Sequence, residues 1–229
     1  MNTLSVRKVI GSGIATFKTR PWFLIAIIVL CMSIGQIAAM PMQFAIYVVG
    51  GLGLLILPKA VAITLLLLIV LVFFVAIIAI SVLTQIGQTN LFLKAERNID
   101  AVVMEDLWAP AQFWNYIGVT LLATAGIILG FILLIIPGII LAIGWMFAPF
   151  IVIDKGYGPV ASLKESWRIT RGHRWKLFLL AIVIGLMNLA GVLVFFVGIL
   201  VTAPITLLTL SHVYRMLSQT EAAVQVPQA

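Results

Sequence analysis

Charge is what this chain has least of. Asp, Glu, Lys and Arg make up only 9% of its 229 residues, about a third of the share in a soluble domain. A water-soluble globule of this length needs more charge to dress its surface. With 63% hydrophobic residues and a mean hydropathy of +1.24, the sequence excludes a soluble fold and implies an integral membrane protein. Cysteine is nearly absent: Cys31 stands alone in an apolar run, which excludes an intrachain disulfide and any paired-thiol motif. A small-residue cleavage site is also missing. Arg7, Lys8, Lys18 and Arg20 before an apolar stretch have the outline of a signal peptide. However, Ile37-Ala38-Ala39-Met40 is a poor cleavage site and more apolar sequence follows, so the stretch is expected to stay as a first helix.

The gaps between charges map the spans. Residues 21–58, 60–93, 107–153 and 177–214 are charge-free runs of 38, 34, 47 and 38 residues. One crossing takes about 20 residues, so the last two runs each hold two crossings. Their breakers are Pro137-Gly138 and Gly198. In the first half, a helix from Trp22 is expected to stop at Pro41, and another to follow Pro58. Between them residues 44–57 are apolar but short, and rich in glycine; they read either as an interfacial helix or as an extension of the first pair. Six crossings are expected, at 22–40, 61–83, 114–136, 138–153, 177–196 and 199–216. With the N-terminus inside, thirteen of the fourteen Lys and Arg fall on the inner side and only Lys59 outside. A seventh crossing would split them five against nine. The positive-inside bias therefore favours six, with both termini cytoplasmic in a plasma (inner) membrane.

A threefold pattern runs through the chain. Segments 6–20, 91–107 and 160–171 each lead into a tryptophan (Trp22, Trp114, Trp175) and then a helical hairpin. In the second, Phe92, Ala95, Ile99, Val102 and Val103 share a face. In the third, Pro159 opens a helix with an apolar stripe of Val160, Leu163 and Trp167 and a basic stripe of Lys164, Arg168 and Arg171, ended by Gly172. The fold expected is all-α and polytopic: six transmembrane helices as three hairpins, each preceded by an inner interfacial helix. It forms a single domain over 1–229, with hairpin units 1–83, 84–153 and 154–217 and a short polar tail, 218–229. The competing account of the pattern is that any six-helix membrane protein has charged inner loops and interfacial Trp.

The run Ile135-Ile136-Pro137-Gly138-Ile139-Ile140-Leu141-Ala142, then Pro149, Asp154-Lys155 and Val160-Ala161-Ser162-Leu163-Lys164-Glu165-Ser166, resembles the uncharacterised YciC-type bacterial inner-membrane proteins. More loosely it is similar to the membrane domain fused to some glycerophosphodiester phosphodiesterases. The resemblance covers roughly residues 130–180 and implies a six-helix fold in a bacterial-type plasma membrane. It carries no catalytic residue across, because the phosphodiesterase chemistry of the fusions belongs to a separate soluble domain.

Chemistry at membrane depth needs reacting groups there, and they are missing. Of Asp, Glu, Lys and Arg, only Arg215 falls in an expected span, at its inner end. That leaves no ligand set for a metal, no paired Asp and no carboxylate for proton coupling. No GxSxG occurs, and His173 and His212 lie in an inner loop and near an inner helix end. The expectation is no enzymatic activity and no cofactor. Two groups of residues remain. Asn188, Thr120, Thr124, Thr202 and Thr206 are neutral polar groups within spans, read either as helix glue or as a polar path. Lys164, Arg168, Arg171, Arg174 and Lys176, with Trp167 and Trp175, form a basic, aromatic strip beside the inner leaflet. Cations there attract anionic head groups at about 1 kcal/mol each, although a basic inner loop also serves simply to set topology. The leading expectation is a structural membrane protein whose basic inner helices engage anionic lipid or a protein partner, a second copy included. The alternative is a small permease or lipid translocator. Net charge alone gives no support for nucleic acid.

Overall fold

The computed structural model describes residues 5–53, 58–108, 110–193 and 198–225. Every regular element among them is helical. Six of these stretches are long and apolar enough to cross a membrane: Pro21–Gly51, Lys59–Arg97, Met104–Leu133, Ile135–Lys155, Arg174–Leu193 and Ile199–Gln219. Backbone in hydrocarbon has no water to bond to, so apolar runs of this length become helices, which satisfy their own N–H and C=O groups. Residues 54–57, at the end of the ambiguous 44–57 segment, lie outside the described residues. So do 194–197, at the outer end of the fifth expected span, and 226–229 of the tail.

Helix α1 (Val6–Thr19) is amphipathic and buries Val9, Gly13 and Phe17. Helix α2 (Pro21–Tyr47) starts with proline in its first turn and runs straight through Pro41. It continues as a π-helical turn over Val48–Gly53. The expected stop at Pro41 is therefore corrected, and residues 44–53 extend the first span. A mid-helix proline costs about 3 kcal/mol in water. In lipid a full helix end leaves more unbonded groups than the single one proline removes, and the helix goes on. Helix α3 (Lys59–Arg97) has 39 residues and is about 58 Å long.

The second expected interfacial helix, 91–107, is not a separate helix. Residues 91–97 continue α3, and Asn98, in extended conformation, turns the chain into short 3-10 turns at Ile99–Ala101, Met104–Leu107 and Pro110–Gln112. Phe92, Ala95 and Val102 of the expected stripe are buried while Val103 is exposed, since helical periodicity does not carry across the turn. This strap lies along the C-terminal end of α3. Asn90 donates to the Asp106 carbonyl at 3.0 Å, and a Cβ at Gly87 would run into the backbone of Leu107.

Helix α4 (Phe113–Leu133) and helix α5 (Ile135–Trp145) are joined by one extended residue, Leu134. The reversal is thus three residues earlier than Pro137-Gly138. Proline fits the first turn of α5, where backbone N–H groups lack helical partners in any case. Gly138 lets α5 lie against Phe131, and Gly130 faces the Gly138 backbone. The expected span 138–153 is itself two helices, because the chain breaks at residues 146–147 before α6 (Ala148–Lys155). Helix α7 (Pro159–Thr170), α8 (Arg174–Leu193) and α9 (Ile199–Gln225) follow. Helix α9 packs against α1, α2, α3 and α8.

The buried core sits towards one end. Leu24, Ile27 and Ile28 of α2, Ile86, Leu91 and Phe92 of α3, Tyr116 and Val119 of α4, Leu177 and Leu180 of α8, and Leu208 and Val213 of α9 are buried. Nearly all lie in the halves of their helices nearest the charged ends, and Leu208 is close to the middle of α9. The opposite halves display large apolar side chains such as Leu67, Leu68, Ile132 and Leu133, as lipid-facing surface does.

Candidate functional site

Helix α7 is built to fit one place. Gly158 is extended, Pro159 occupies the first turn, and the Ser162 N–H closes that turn on the Gly158 carbonyl at 2.9 Å. At the other end Gly172 has φ +84, a left-handed conformation that only glycine adopts without strain, and the chain reverses into α8. The fully buried face of α7 is Ser162, Ser166, Ile169 and Thr170, largely hydroxyl rather than apolar. The α5–α6 break explains this. It frees the Gly144 carbonyl and the Phe147 N–H, which need partners away from water. The Ser166 Oγ donates to Gly144 O at 2.8 Å and accepts from Phe147 N at 3.3 Å. Thr170 Oγ1 donates to the Ser166 carbonyl at 2.9 Å. Beside this face the apolar stripe runs as expected: Leu163 and Trp167 are half-buried against α5 and Val160 is exposed.

The basic strip divides in two. Glu165, with a side chain only 12% exposed, binds both Lys155 and Arg168 at 2.9 Å. Burial works to raise its carboxyl pKa, but hydrogen bonds and charge from Arg168 and Lys155 outweigh that and hold it below the usual carboxylate range. Arg168 is thus engaged with an acid. Among the described residues, Lys164, Arg171, Arg174 and Lys176 have no carboxylate partner. The Arg174 guanidinium instead lies 3.7 Å from the centre of the Trp167 ring, a cation–π contact, and its Nε has no hydrogen-bond acceptor. Trp167 rests on Gly144, where a Cβ would strike the ring. Trp175 is 80% exposed beside it.

Two apolar grooves flank this stack. One, of about 440 Å³, is walled by Ile136, Ile140 and Ile143 of α5 and by Trp175 and Phe178 of α8, with Arg174 at its edge. The other, of about 410 Å³, is walled by Leu141 and Trp145 of α5 and by Val160, Leu163 and Trp167 of α7, with Lys164 at its edge.

The neutral polar residues separate likewise. Asn188 Nδ2 donates to Thr206 Oγ1 at 3.1 Å, joining α8 to α9, and Thr206 donates to the Thr202 carbonyl at 2.9 Å. Thr202 lies in the same interface, against Gly191. Thr120 and Thr124 are exposed on α4 and do not join them.

A polar network that the sequence did not single out ties the charged helix ends together. Asp154 of α6 binds Arg97 of α3 at 2.8 Å and accepts from Tyr214 Oη of α9 at 2.9 Å. Glu96 of α3 meets Arg215 Nε at 2.8 Å and His212 Nδ1 at 2.9 Å, both on α9. Arg20 pairs with Asp100 at 3.0 Å, and Lys94 with Asp106. The signal available in the sequence was the position of the acids, since all seven fall in the segments expected on the inner side.

A model of a domain of unknown function (DUF7847) matches residues 101–228, more than half of the chain. The chain belongs to the DUF7847 family. No curated protein and no solved structure matches it. The DUF7847 region takes in α4–α9, and with them α7 and both grooves, whereas Glu96 and Arg97 of the inner network come from α3, outside it.

Proposed function

We propose that this is a multi-pass membrane protein without enzymatic activity that holds anionic lipid against its inner face through α7 and the start of α8. The observation that carries the reading is the unpaired state of Lys164, Arg171, Arg174 and Lys176 in a chain where Glu96, Asp100, Asp106, Asp154 and Glu165 are all ion-paired. Four cations within thirteen residues, beside Trp167 and an exposed Trp175, suit phosphate-bearing head groups, at about 1 kcal/mol per cation near the surface. In this reading α1 and α7 lie at the inner interface and the crossings form three hairpins. The termini are cytoplasmic, as the positive-inside bias favours, and the membrane is the bacterial-type inner membrane of the YciC-type resemblance. The Asn188–Thr206 bond supports helix glue over a permease path, and Thr120 and Thr124 add nothing to such a path.

The test is lipid analysis of the purified protein. Anionic lipid is expected to be enriched over its share in the source membrane. The enrichment should fall in a Lys164→Gln, Arg171→Gln, Lys176→Gln triple variant, and weaken when purification is done in high salt, because exposed charges are screened beyond about 8–10 Å at physiological ionic strength. Equal lipid pools from variant and wild type would reduce these cations to orientation signals.

A further inference from the structure

The two grooves beside α7 share one dividing ridge, the Arg174–Trp167 stack seated on Gly144. Each has the volume of a small-molecule pocket, about 300–1,000 Å³. Each is apolar, and each carries one unpaired cation at its edge, Arg174 on one side and Lys164 on the other. Both open sideways onto surface that faces the bilayer, since Ile136 is 70% and Val160 56% exposed. We propose that the pair of grooves is a single binding site for one diacyl anionic glycerophospholipid, which sits astride the ridge with one acyl chain in each groove and its phosphate between Arg174 and Lys164.

This rests on the anionic-lipid reading above and adds to it the number of chains and the seat of the phosphate. The chemistry fits at three points. An arginine whose flat face is stacked on an indole still presents its edge, a fork of N–H donors matched to phosphate oxygens. The single negative charge of a phosphodiester lying between two cations that have no carboxylate of their own is shared by both. Two chains on either side of Trp167 remove from water, or from looser lipid, the apolar walls that α5 leaves uncovered between α7 and α8.

The experiment is native mass spectrometry of the delipidated protein in detergent, titrated with phosphatidylglycerol, phosphatidylcholine and lysophosphatidylglycerol. Ile140→Trp fills one groove and Val160→Trp the other. Both positions already face outward, and thermal unfolding checks that the variants fold as wild type does. Phosphatidylglycerol is expected to bind about tenfold more tightly than either other lipid. Each Trp variant should bring phosphatidylglycerol down to the level of lysophosphatidylglycerol, while the single-chain lipid, which needs only one groove, is retained as before. If the one-chain and two-chain anionic lipids bind equally, or if neither Trp variant weakens phosphatidylglycerol, the two-groove site is wrong although charge recognition stands. If phosphatidylglycerol and phosphatidylcholine bind equally, the head-group reading itself fails.

Discussion

At Glu165, burial and charge pull in opposite directions. Burial favours the neutral acid, yet Arg168 and Lys155 hold the carboxyl below its ordinary range, which is about 4.3 for glutamate. Between the folded and unfolded values the unfolded chain binds more protons, so stability rises with pH there. The contribution is complete above the ordinary value and is lost as pH falls through the folded one. Glu165→Gln should therefore lower the unfolding temperature at pH 7 and flatten its decline below about pH 4.3, as melts in detergent at pH 7, 5 and 3 would reveal. Parallel curves for the two proteins would remove Glu165 from the acid response. Other pairings were hidden in the sequence by distance along the chain. Arg97 and Asp154 are 57 positions apart, and Glu96 and His212 are 116, so no local spacing marks them. The strip from Lys164 to Lys176 was legible because it is local. Which of its cations are engaged was not, since that depends on Glu165 taking Arg168, three residues on, rather than Lys164 beside it.

Among the elements, α1 depends on one glycine. Gly13 sits against α9, where a Cβ would press on the Thr209 hydroxyl and come within 3.2 Å of the Ile205 carbonyl. Gly13→Leu should prise α1 off α9 at a cost of about 1–3 kcal/mol, the usual range for overpacking. Hydrogen exchange should then quicken over residues 6–19 while α8 keeps its protection. Unchanged protection in α1 would mean that the contact is not what holds it. Helix α7 was readable from its apolar spacing and its start and stop residues, and α1 from its place in the threefold pattern. The reversal at Leu134 was not, because leucine carries no turn signal and Pro137 is equally at home in a first turn. That α3 runs on as helix to Arg97 was not legible for a related reason. The cluster from Thr84 to Asn90 looks like a helix leaving the bilayer. Instead Thr84 and Thr89 bond back to their own helix at 2.8 and 2.9 Å, and Gln85 accepts from Tyr116 at 3.2 Å, so the polar groups are absorbed by protein and the helix continues.

For the molecule as a whole, the six-span count was legible because hydrocarbon thickness and charge spacing are both simple lengths. The uneven packing was not, because every helix is apolar on its buried and lipid-facing sides alike. The ion-paired ends gather on one face, away from Lys59, which makes sidedness easy to test. In a Cys31→Ser background, Tyr157→Cys should react with an impermeant thiol reagent only after the cells are opened, and Lys59→Cys while they are intact. Reaction of both on intact cells would overturn the topology. The docking of α1 on α9 also constrains how the chain is made. Synthesis delivers α1 before α2–α8 and its partner only near the end, so Val9 and Phe17 stay without their packing partner until residues 205–213 have left the ribosome. A stop codon placed before Ile205 would take the partner from α1, α3 and α8 at once, leaving a nascent chain with at most its first five crossings inserted and its base unassembled, a substrate for membrane proteases.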